Sequence, residues 1–275
     1  MKFGKLESVE ELKGIDFNLP TPSFEWKQSG DDLVQIHSGG TTWNVRPWRG
    51  KVYPQKDPMR TWPTHYGSRF STIEFNATHY KIYSPEKMTE WAAQLPEGFK
   101  FCPKFPAIIS HYRRFNNCEG PTDDFIEGLL ALGDKLGPAF LQLPPHFAPK
   151  HREKLLHFLE SWPRELKISV EFRHPEWFKG GADAEAVWSK MSELGIGAVI
   201  SDTAGRRDAL HMRFTAPHIL VRFGGYNGHP TDKFRLQQWA NLIKDTPGIN
   251  SFYLLVHTDD SVYTPETCEL FKSLI

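Results

Sequence analysis

The sequence is poor in cysteine, in net charge and in long apolar runs, and each shortage excludes a class of protein. Its 275 residues include 3 cysteines, an odd number with no Cys-x-x-Cys pair. Neither a disulfide scaffold nor a cysteine-built zinc site is therefore expected. No run of about eighteen apolar residues could span a bilayer, and the N-terminus lacks the apolar core of a signal peptide. We expect a cytoplasmic protein.

The charge balance also restricts the partners. The chain has 33 basic and 33 acidic side chains, so its formal net charge is zero. Non-specific nucleic-acid binding relies on a surplus of cations that displaces counterions, and a neutral chain lacks that surplus. Nucleic acid is thus a disfavoured partner, although the composition is compatible with a local basic groove.

Eight apolar segments recur along the chain and are separated by helical patterns. The predicted strands cover residues 33–37, 71–75, 100–104, 139–143, 168–172, 197–202, 219–223 and 252–257. Helix starts are marked by capping residues or first-turn prolines at Pro85, Thr122, Pro149, Asp183, Asp232 and Thr264. Residues 208–214 form only a poor candidate for a sixth helix.

This alternation predicts the fold. Eight strand–helix repeats are typical of an α/β protein with a (β/α)8 TIM barrel, here a single domain over residues 31–275. No Gly-x-Gly-x-x-Gly follows the first strand, which argues against a doubly wound open sheet. Residues 1–30 are expected to form a short N-terminal extension that packs on the barrel. Ser8 and Glu11 have capping-box spacing, and the proline-rich stretch 19–24 is expected across the bottom or side.

A polar or ionisable side chain stands at the end of every predicted strand. These residues are His37, Glu74, Asn76, His79, Lys104, Gln142, Glu171, Arg173, His174, Asp202, Arg222 and His257. Each alone has an ordinary structural explanation, such as a salt bridge between Glu171 and Arg173. TIM barrels carry their chemistry at the carboxyl ends of the strands, and charges buried together need partners or a ligand. The pattern therefore predicts a binding site on this rim.

The loop after the first strand is a second candidate region. Gly39 and Gly40 permit close approach of backbone to a ligand, and Trp43 and Trp48 could stack on a sugar or a base. The alternative is a loop that packs over the barrel through its own aromatic side chains.

Several motifs together resemble one known family. They are Trp43-x4-Trp48-x-Gly50, the block 70–80 (FSTIEFNATHY), Pro96-Glu97-Gly98-Phe99 with Lys104, Gln142-Leu143-Pro144-Pro145, and the block 171–178 (EFRHPEWF). This combination resembles the YecE-like family, a domain of unknown function, over roughly residues 33–275. The resemblance implies a TIM barrel and no established activity. The sequence departs from the family pattern at Gly224-Gly225, where an Arg-x-His-Gly ending is usual, and at His257-Thr258-Asp259, where asparagines are usual.

The rim residues favour an enzyme, of hydrolase or isomerase type, that acts on a polar or anionic small molecule such as a phosphorylated or sugar-like substrate. Lys104, Arg173 and Arg222 would hold phosphate or carboxylate. Glu74, Glu171 and Asp202 are the predicted catalytic residues, and the two glutamates are the acid/base candidates. The other rim residues and the two loop tryptophans would contact the substrate, and no cofactor is predicted.

Two alternatives stay open at this point. A metal-dependent hydrolase or isomerase, similar to the sugar-isomerase and abasic-endonuclease barrels, could use the carboxylates with His257 and His79 or His174. Lys104 and Arg173 argue against it because they would repel a nearby cation. A barrel that binds a small molecule or nucleic acid without turnover is the other alternative.

Overall fold

The structure is a computed structural model that describes residues 3–25 and 33–275. Residues 1–2 and 26–32 lie outside the described residues. These gaps contain residues 1–2 and 26–30 of the predicted extension. They also contain residues 31–32 of the predicted barrel domain.

Most strands belong to a barrel, and two short ones form a ribbon beside it. Within the described ranges the chain forms β1 (Ser23–Phe24), β2 (Gln35–Gly39), β3 (Thr72–Phe75), β4 (Lys100–Pro103), β5 (Ala139–Gln142), β6 (Ile168–Glu171), β7 (Gly197–Asp202), β8 (Arg213–Phe214), β9 (His218–Gly225) and β10 (Ser251–Thr258). All pairings between these strands are parallel. The eight longer ones correspond to the eight predicted strands, with ends displaced by up to two residues.

Backbone hydrogen bonds join the barrel strands around a ring. One continuous sheet has the order β2-β10-β9-β7-β6-β5, and β3 pairs with β4. At one seam Glu74 N donates to Gly40 O at 2.9 Å, which links β3 to the end of β2. At the other, Phe105 N donates to Phe140 O at 3.0 Å, which links the end of β4 to β5. The fold is the predicted TIM barrel.

Helices surround the barrel. The part of the chain that the structure describes contains α1 (Trp62–Arg69), α2 (Ala77–Tyr80), α3 (Pro85–Ala93), α4 (Glu119–Leu130), α5 (Arg152–Ser161), α6 (Ala182–Glu193), α7 (Pro230–Asp245) and α8 (Thr264–Leu274). First-turn prolines open α3 and α8, as predicted, whereas α4 and α7 begin before Thr122 and Asp232. None of these helices is long and apolar enough to cross a bilayer.

The connection between β7 and β9, every residue of which is described, lacks the predicted sixth helix. It consists of a 3-10 helix (Ala204–Ala209) and β8. The N-terminal arm, residues 3–25, covers this side of the barrel instead. Its strand β1 pairs with β8, and the rings of Phe24 and Phe214 stack at 5.1 Å. Gln238 of α7 accepts from Leu19 N and donates to Phe17 O, both at 2.9 Å. The arm therefore takes the position of a helix.

The barrel interior is filled in layers. One layer is an apolar cluster formed by Cys102, Phe140, Val199, Leu220, Tyr253 and Leu255. Side chains two positions further along a strand point to the same face. Ser201 therefore follows Val199 into the interior and Arg222 follows Leu220, and Ser201 and Arg222 are partners in the β7–β9 ladder. A polar layer thus lies above the apolar one, at the carboxyl ends of the strands.

Candidate functional site

Arg222 is the centre of the polar layer. Its Nε and Nη2 donate to the two oxygens of Glu74 at 2.9 and 2.8 Å, and its Nη1 lies 2.8 and 2.9 Å from the two oxygens of Glu171. The guanidinium also lies over the Phe140 ring, with its carbon 5.4 Å from the ring centroid. All three charged side chains are buried. One arginine of β9 therefore joins a carboxylate of β3 to a carboxylate of β6 across the barrel.

Glu74 has two further donors. Asn76 Nδ2 lies 2.9 Å from Glu74 Oε1, and His257 Nε2 lies 2.7 Å from Glu74 Oε2. The imidazole is the donor in the second contact because an ionised carboxylate has no proton to give. Burial would raise the pKa of the Glu74 carboxyl, but Arg222 and His257 outweigh it and hold that pKa well below its usual range.

Glu171 is held in the same way by its neighbours. Arg173 Nη2 and Ser201 Oγ donate to its Oε1 at 3.0 and 2.9 Å, and Gln142 Nε2 donates to its Oε2 at 2.6 Å. Burial opposes ionisation, but Arg173 and Arg222 together hold the pKa of the Glu171 carboxyl below its usual range.

These contacts revise the predicted acid/base role of the two glutamates. Each carboxylate of Glu74 and Glu171 is ionised and accepts several hydrogen bonds, so neither is placed to donate a proton near neutral pH. They act instead as the fixed negative charges that orient Arg222 and Arg173.

Lys104 is the cation with the fewest partners in this layer. It directly follows β4 and its side chain is buried. Its Nζ donates to Gln142 Oε1 at 3.0 Å, and among the described residues it forms no ion pair within 4.0 Å. Burial, followed by the neighbouring Arg222 charge, lowers the pKa of the Lys104 ammonium to about 8.

Two histidines lie next to Lys104 at the mouth of the barrel. His79 of α2 uses Nδ1 to contact Phe105 O at 2.7 Å, and its ring centroid lies 5.0 Å from that of His111. Burial and the Lys104 charge lower the pKa of His79, and burial followed by His79 lowers the pKa of His111 to about 4. Both rings are therefore neutral near pH 7. His111 belongs to a π-helix (Ile108–Tyr112), a form common at functional sites.

The N-terminal arm borders the site. The Phe3 ring lies against two guanidinium groups, 4.5 Å from the Arg173 carbon and 4.6 Å from that of Arg206. Gly4 O accepts from Thr203 Oγ1 at 2.7 Å and from Gly205 N at 2.9 Å, beyond the carboxyl end of β7. The arm thus begins beside Arg173 and then runs down the side of the barrel.

His37 does not lie on the rim. Strand β2 continues to Gly39, and His37 is the ladder partner of Tyr253 in the apolar layer. The two rings stack at 4.8 Å, and burial followed by Lys100 lowers the pKa of His37 to about 4. The prediction ended the first strand two residues too early, because Ser38 and Gly39 gave no apolar signal for its continuation.

The loop tryptophans also lie away from the polar layer. Trp43 packs against Phe75 and Phe101 with ring centroids 5.4 and 6.2 Å away. Trp48 is 1 % exposed, and its Nε1 donates to Ser261 O at 2.8 Å. Both side chains belong to the core between barrel and helices, so the structure supports the alternative of a loop packed by its own aromatics.

Asp202 belongs to a second, separate charge cluster. Its carboxylate accepts from Arg207 Nη1, Arg235 Nη1 and Trp239 Nε1 at 2.8, 3.2 and 3.0 Å. Burial opposes ionisation, but Arg235 and Arg207 lower the pKa of Asp202. Because Ser201 points into the barrel, Asp202 points outward to α7. Asp202 therefore lies outside the polar layer, whereas Ser201 is the residue that the strand alternation places in it.

His174 lies in the loop after β6. Its Nδ1 accepts from Glu176 N at 3.3 Å and caps the 3-10 helix Pro175–Phe178. No hydrogen bond among the described residues joins it to the polar layer.

His111 was not among the predicted site residues because it lies seven positions beyond Lys104, outside any strand-end pattern.

The proposed metal ligands are not assembled. Among the described residues no group of three or more His, Cys, Asp or Glu side chains could hold a metal ion. Arg222 stands between the two glutamates, and Asp202 is in the other cluster. The donor set of the metal-dependent alternative therefore does not fit this structure.

The fold and the site define a TIM-barrel protein with a charged layer at the carboxyl ends of its strands, which is where barrels of this class place their chemistry. The chain belongs to the family described as "Protein of unknown function DUF72", whose sequence model matches residues 37–275. The resemblance drawn from the motifs is thereby confirmed. The match begins at His37, so the N-terminal arm lies outside it.

Individual relatives agree. The chain is 32 % identical over 219 residues to the UPF0759 protein YecE of Escherichia coli (strain K12), covering 73 % of this chain and 80 % of that protein. A DUF72 family protein of Thermotoga maritima MSB8 has a similar crystal structure, with a TM-score of 0.68 and 18 % identity. The match covers 86 % of this chain and 99 % of that one. One of Enterococcus faecalis V583 gives a TM-score of 0.63, 17 % identity and coverage of 88 % and 98 %.

Proposed function

We propose that the protein is an enzyme whose polar layer binds a small anionic substrate carrying a phosphate or carboxylate group. The observation that carries this proposal is the unpaired ammonium of Lys104. Lys104, Arg173 and Arg222 supply three cations, whereas Glu74 and Glu171 supply two carboxylates. A buried charge is costly without a counter-charge, and an anionic ligand would provide it.

The arrangement also favours a particular binding mode. Arg173 is oriented by Glu171, and its side chain is 13 % exposed, so its guanidinium is held at the edge of the layer. Guanidinium groups bind phosphate and carboxylate through parallel N–H donors. We expect Arg173 to hold the anion through its N–H donors, with Lys104 facing the rest of the substrate and the neutral imidazoles of His79 and His111 beside it.

One property favours an enzyme over a barrel that only binds. A group that transfers protons works best when its pKa lies near the working pH. Lys104 has such a pKa, of about 8, whereas a lysine used only to hold an anion gains nothing from a lowered pKa. We therefore assign proton transfer in the proposed reaction to Lys104 rather than to the glutamates.

The test is calorimetric titration of the purified protein with inorganic phosphate. Arg173→Met should weaken phosphate binding at least about ten-fold, because a hydrogen bond to a charged group is worth about 1.5–3 kcal/mol. The matched control is Lys167→Met. Lys167 and Lys100 line a different cavity, of about 230 Å³ at the amino ends of the strands, which could also bind an anion. If Lys167→Met abolishes binding and Arg173→Met does not, the proposed site is wrong. Absence of any phosphate binding also contradicts the proposal.

A further inference from the structure

We propose that Lys104 is a nucleophile, and that its amine forms a Schiff base with the carbonyl carbon of an anionic aldehyde or ketone substrate. This inference rests on the proposed function and assigns it a reaction class. The substrate would carry a phosphate or carboxylate near a carbonyl group, so that Arg173 holds the anion while Lys104 reaches the carbonyl carbon.

The first argument is the partner of the amine. Lys104 Nζ is directed at Gln142 Oε1, 3.0 Å away, and the Gln142 amide is fixed because its Nε2 donates to Glu171 at 2.6 Å. An amide oxygen is a neutral acceptor. It can hold a neutral amine through one N–H and leave the nitrogen lone pair available, whereas a carboxylate partner would keep the amine protonated.

The second argument is the surrounding charge. The charged groups that act on Lys104 are Arg222 of β9, Glu74 of β3, Glu171 of β6 and Arg173. The Lys104 charge in turn lowers the pKa of His79 and of His111. The two arginines oppose protonation and the two glutamates favour it, but the glutamates are already paired with the arginines. A lysine beside other cations is a known form of amine nucleophile.

The combined effect makes the amine reactive near neutral pH. Burial and Arg222 lower the pKa of Lys104 to about 8, so about one side chain in ten is unprotonated at pH 7. An ordinary lysine, with a pKa of about 10.4, is unprotonated in fewer than about one molecule in a thousand. The proportion of nucleophilic amine is thus higher by a factor of roughly two hundred.

The step balances without any further reactant. The nitrogen lone pair forms the C–N bond while the carbonyl π pair moves to oxygen, which takes up a proton and gives a carbinolamine. The C–O bond then breaks, and the oxygen leaves as water with a second proton as the C=N bond forms. The amine loses two protons and the departing water carries both. We assign the relay of these protons to His79 and His111, whose rings lie 5.0 Å apart and are neutral near pH 7.

The experiment uses pyridoxal 5′-phosphate, an aldehyde that carries a phosphate, followed by reduction with sodium borohydride and peptide mapping. At low reagent excess and pH 7, Lys104 should be modified at least about ten times faster than the exposed Lys150 and Lys179, because of its larger unprotonated fraction. Inorganic phosphate should protect it. The rate should rise with pH to a plateau above about 8. Arg173→Met should slow the labelling of Lys104 without changing that of Lys150.

The outcomes separate the two proposals. If phosphate binds as proposed but Lys104 is labelled no faster than Lys150, the Schiff-base inference is wrong and the anion site stands. If phosphate neither binds nor protects, the proposed function itself fails. Lys104→Arg serves as the control variant because it keeps the positive charge. In this variant the rapid labelling should disappear from the protein. Rapid labelling that persists on another residue would contradict the assignment to Lys104.

Discussion

Arg222 forms a side-on pair with Glu74, in which Nε and Nη2 donate to the two carboxylate oxygens at 2.9 and 2.8 Å. The remaining guanidinium nitrogen, Nη1, contacts Glu171. This one cation is thus shared by two buried carboxylates, and Arg173 is the second cation that holds Glu171 ionised.

Arg222→Met should destabilise the protein by about 3–5 kcal/mol, because it leaves Glu74 and Glu171, both buried, without the guanidinium that they share. Urea unfolding at pH 7 measures the change in the free energy of unfolding. The control is Arg69→Met, whose exposed side chain forms one ion pair, at 3.6 Å, with Glu269. That variant should lose less than about 1 kcal/mol. Equal effects of the two substitutions would contradict the central role of Arg222.

Lys104→Met should stabilise the protein at pH 7 by about 1–3 kcal/mol, because the folded state lowers the lysine pKa and so disfavours its charged form. The free-energy cost of burying the charged ammonium is fully present below pH 8. It falls as the pH rises toward the unfolded-state pKa of about 10.4, so the difference between variant and wild type should shrink over that interval. Urea unfolding at several pH values checks this. A variant less stable than wild type at pH 7 would show that the ammonium is not destabilising.

Glu74→Gln should weaken the acid sensitivity of the fold. A carboxyl whose pKa is depressed in the folded state adds stability above its unfolded pKa of about 4.3, and this stability is lost as the pH falls further. Wild type should therefore lose up to about 1.4 kcal/mol per pH unit for each such carboxyl below pH 4. The variant should have a shallower slope in urea unfolding between pH 5 and pH 2, and an unchanged slope would refute this account.

Asp202→Asn should act on stability and not on the site. Its carboxylate bonds to Arg207, Arg235 and Trp239 on the outer side of β7, so removing its charge should cost about 3–5 kcal/mol. Phosphate affinity of the folded variant, measured by calorimetry at low temperature, should stay within about two-fold of wild type. A loss of affinity without a loss of stability would show that Asp202 contributes to the anion site.

Gly4→Ala should loosen the start of the N-terminal arm. Gly4 has φ +67°, and a Cβ there would collide with Thr203 Cγ2. A positive φ costs an alanine about 1–2 kcal/mol, so the Gly205 amide that donates to Gly4 O should exchange its hydrogen about ten times faster. Gly14→Ala is the matched control, because Gly14 has φ +86° and open space around it. Equal exchange at Gly205 in both variants would show that the collision has no effect.

The strands and their polar ends could be predicted because both signals are local. Apolar runs marked all eight barrel strands, and the period of two then fixes which side chains enter the barrel. Glu74, Lys104, Gln142, Glu171, Arg222 and His257 lie in one layer for this reason. Asp202 was predicted to lie on the rim because it ends its strand. Its side chain, however, occupies the outer face of that strand.

The contacts that the prediction missed depend on distant parts of the chain. The register of the barrel strands decides whether Lys104 bonds to a carboxylate or to the amide of Gln142. That register cannot be predicted from a single sequence. The absent sixth helix could be suspected from the weak pattern at residues 208–214, but not its replacement by β1. The position of Phe3 over Arg173 had no sequence signal at all.

The arm also sets an order of assembly. Leu19 bonds to Gln238, 219 positions further along the chain, and β1 pairs with β8. During synthesis the arm leaves the ribosome before the barrel strands, and its partners emerge only after most of those strands. We therefore expect the side of the barrel between α6 and α7 to be covered late, when this earlier-made segment docks. Contacts between such distant segments form slowly, since closing a long loop costs entropy before any contact is gained.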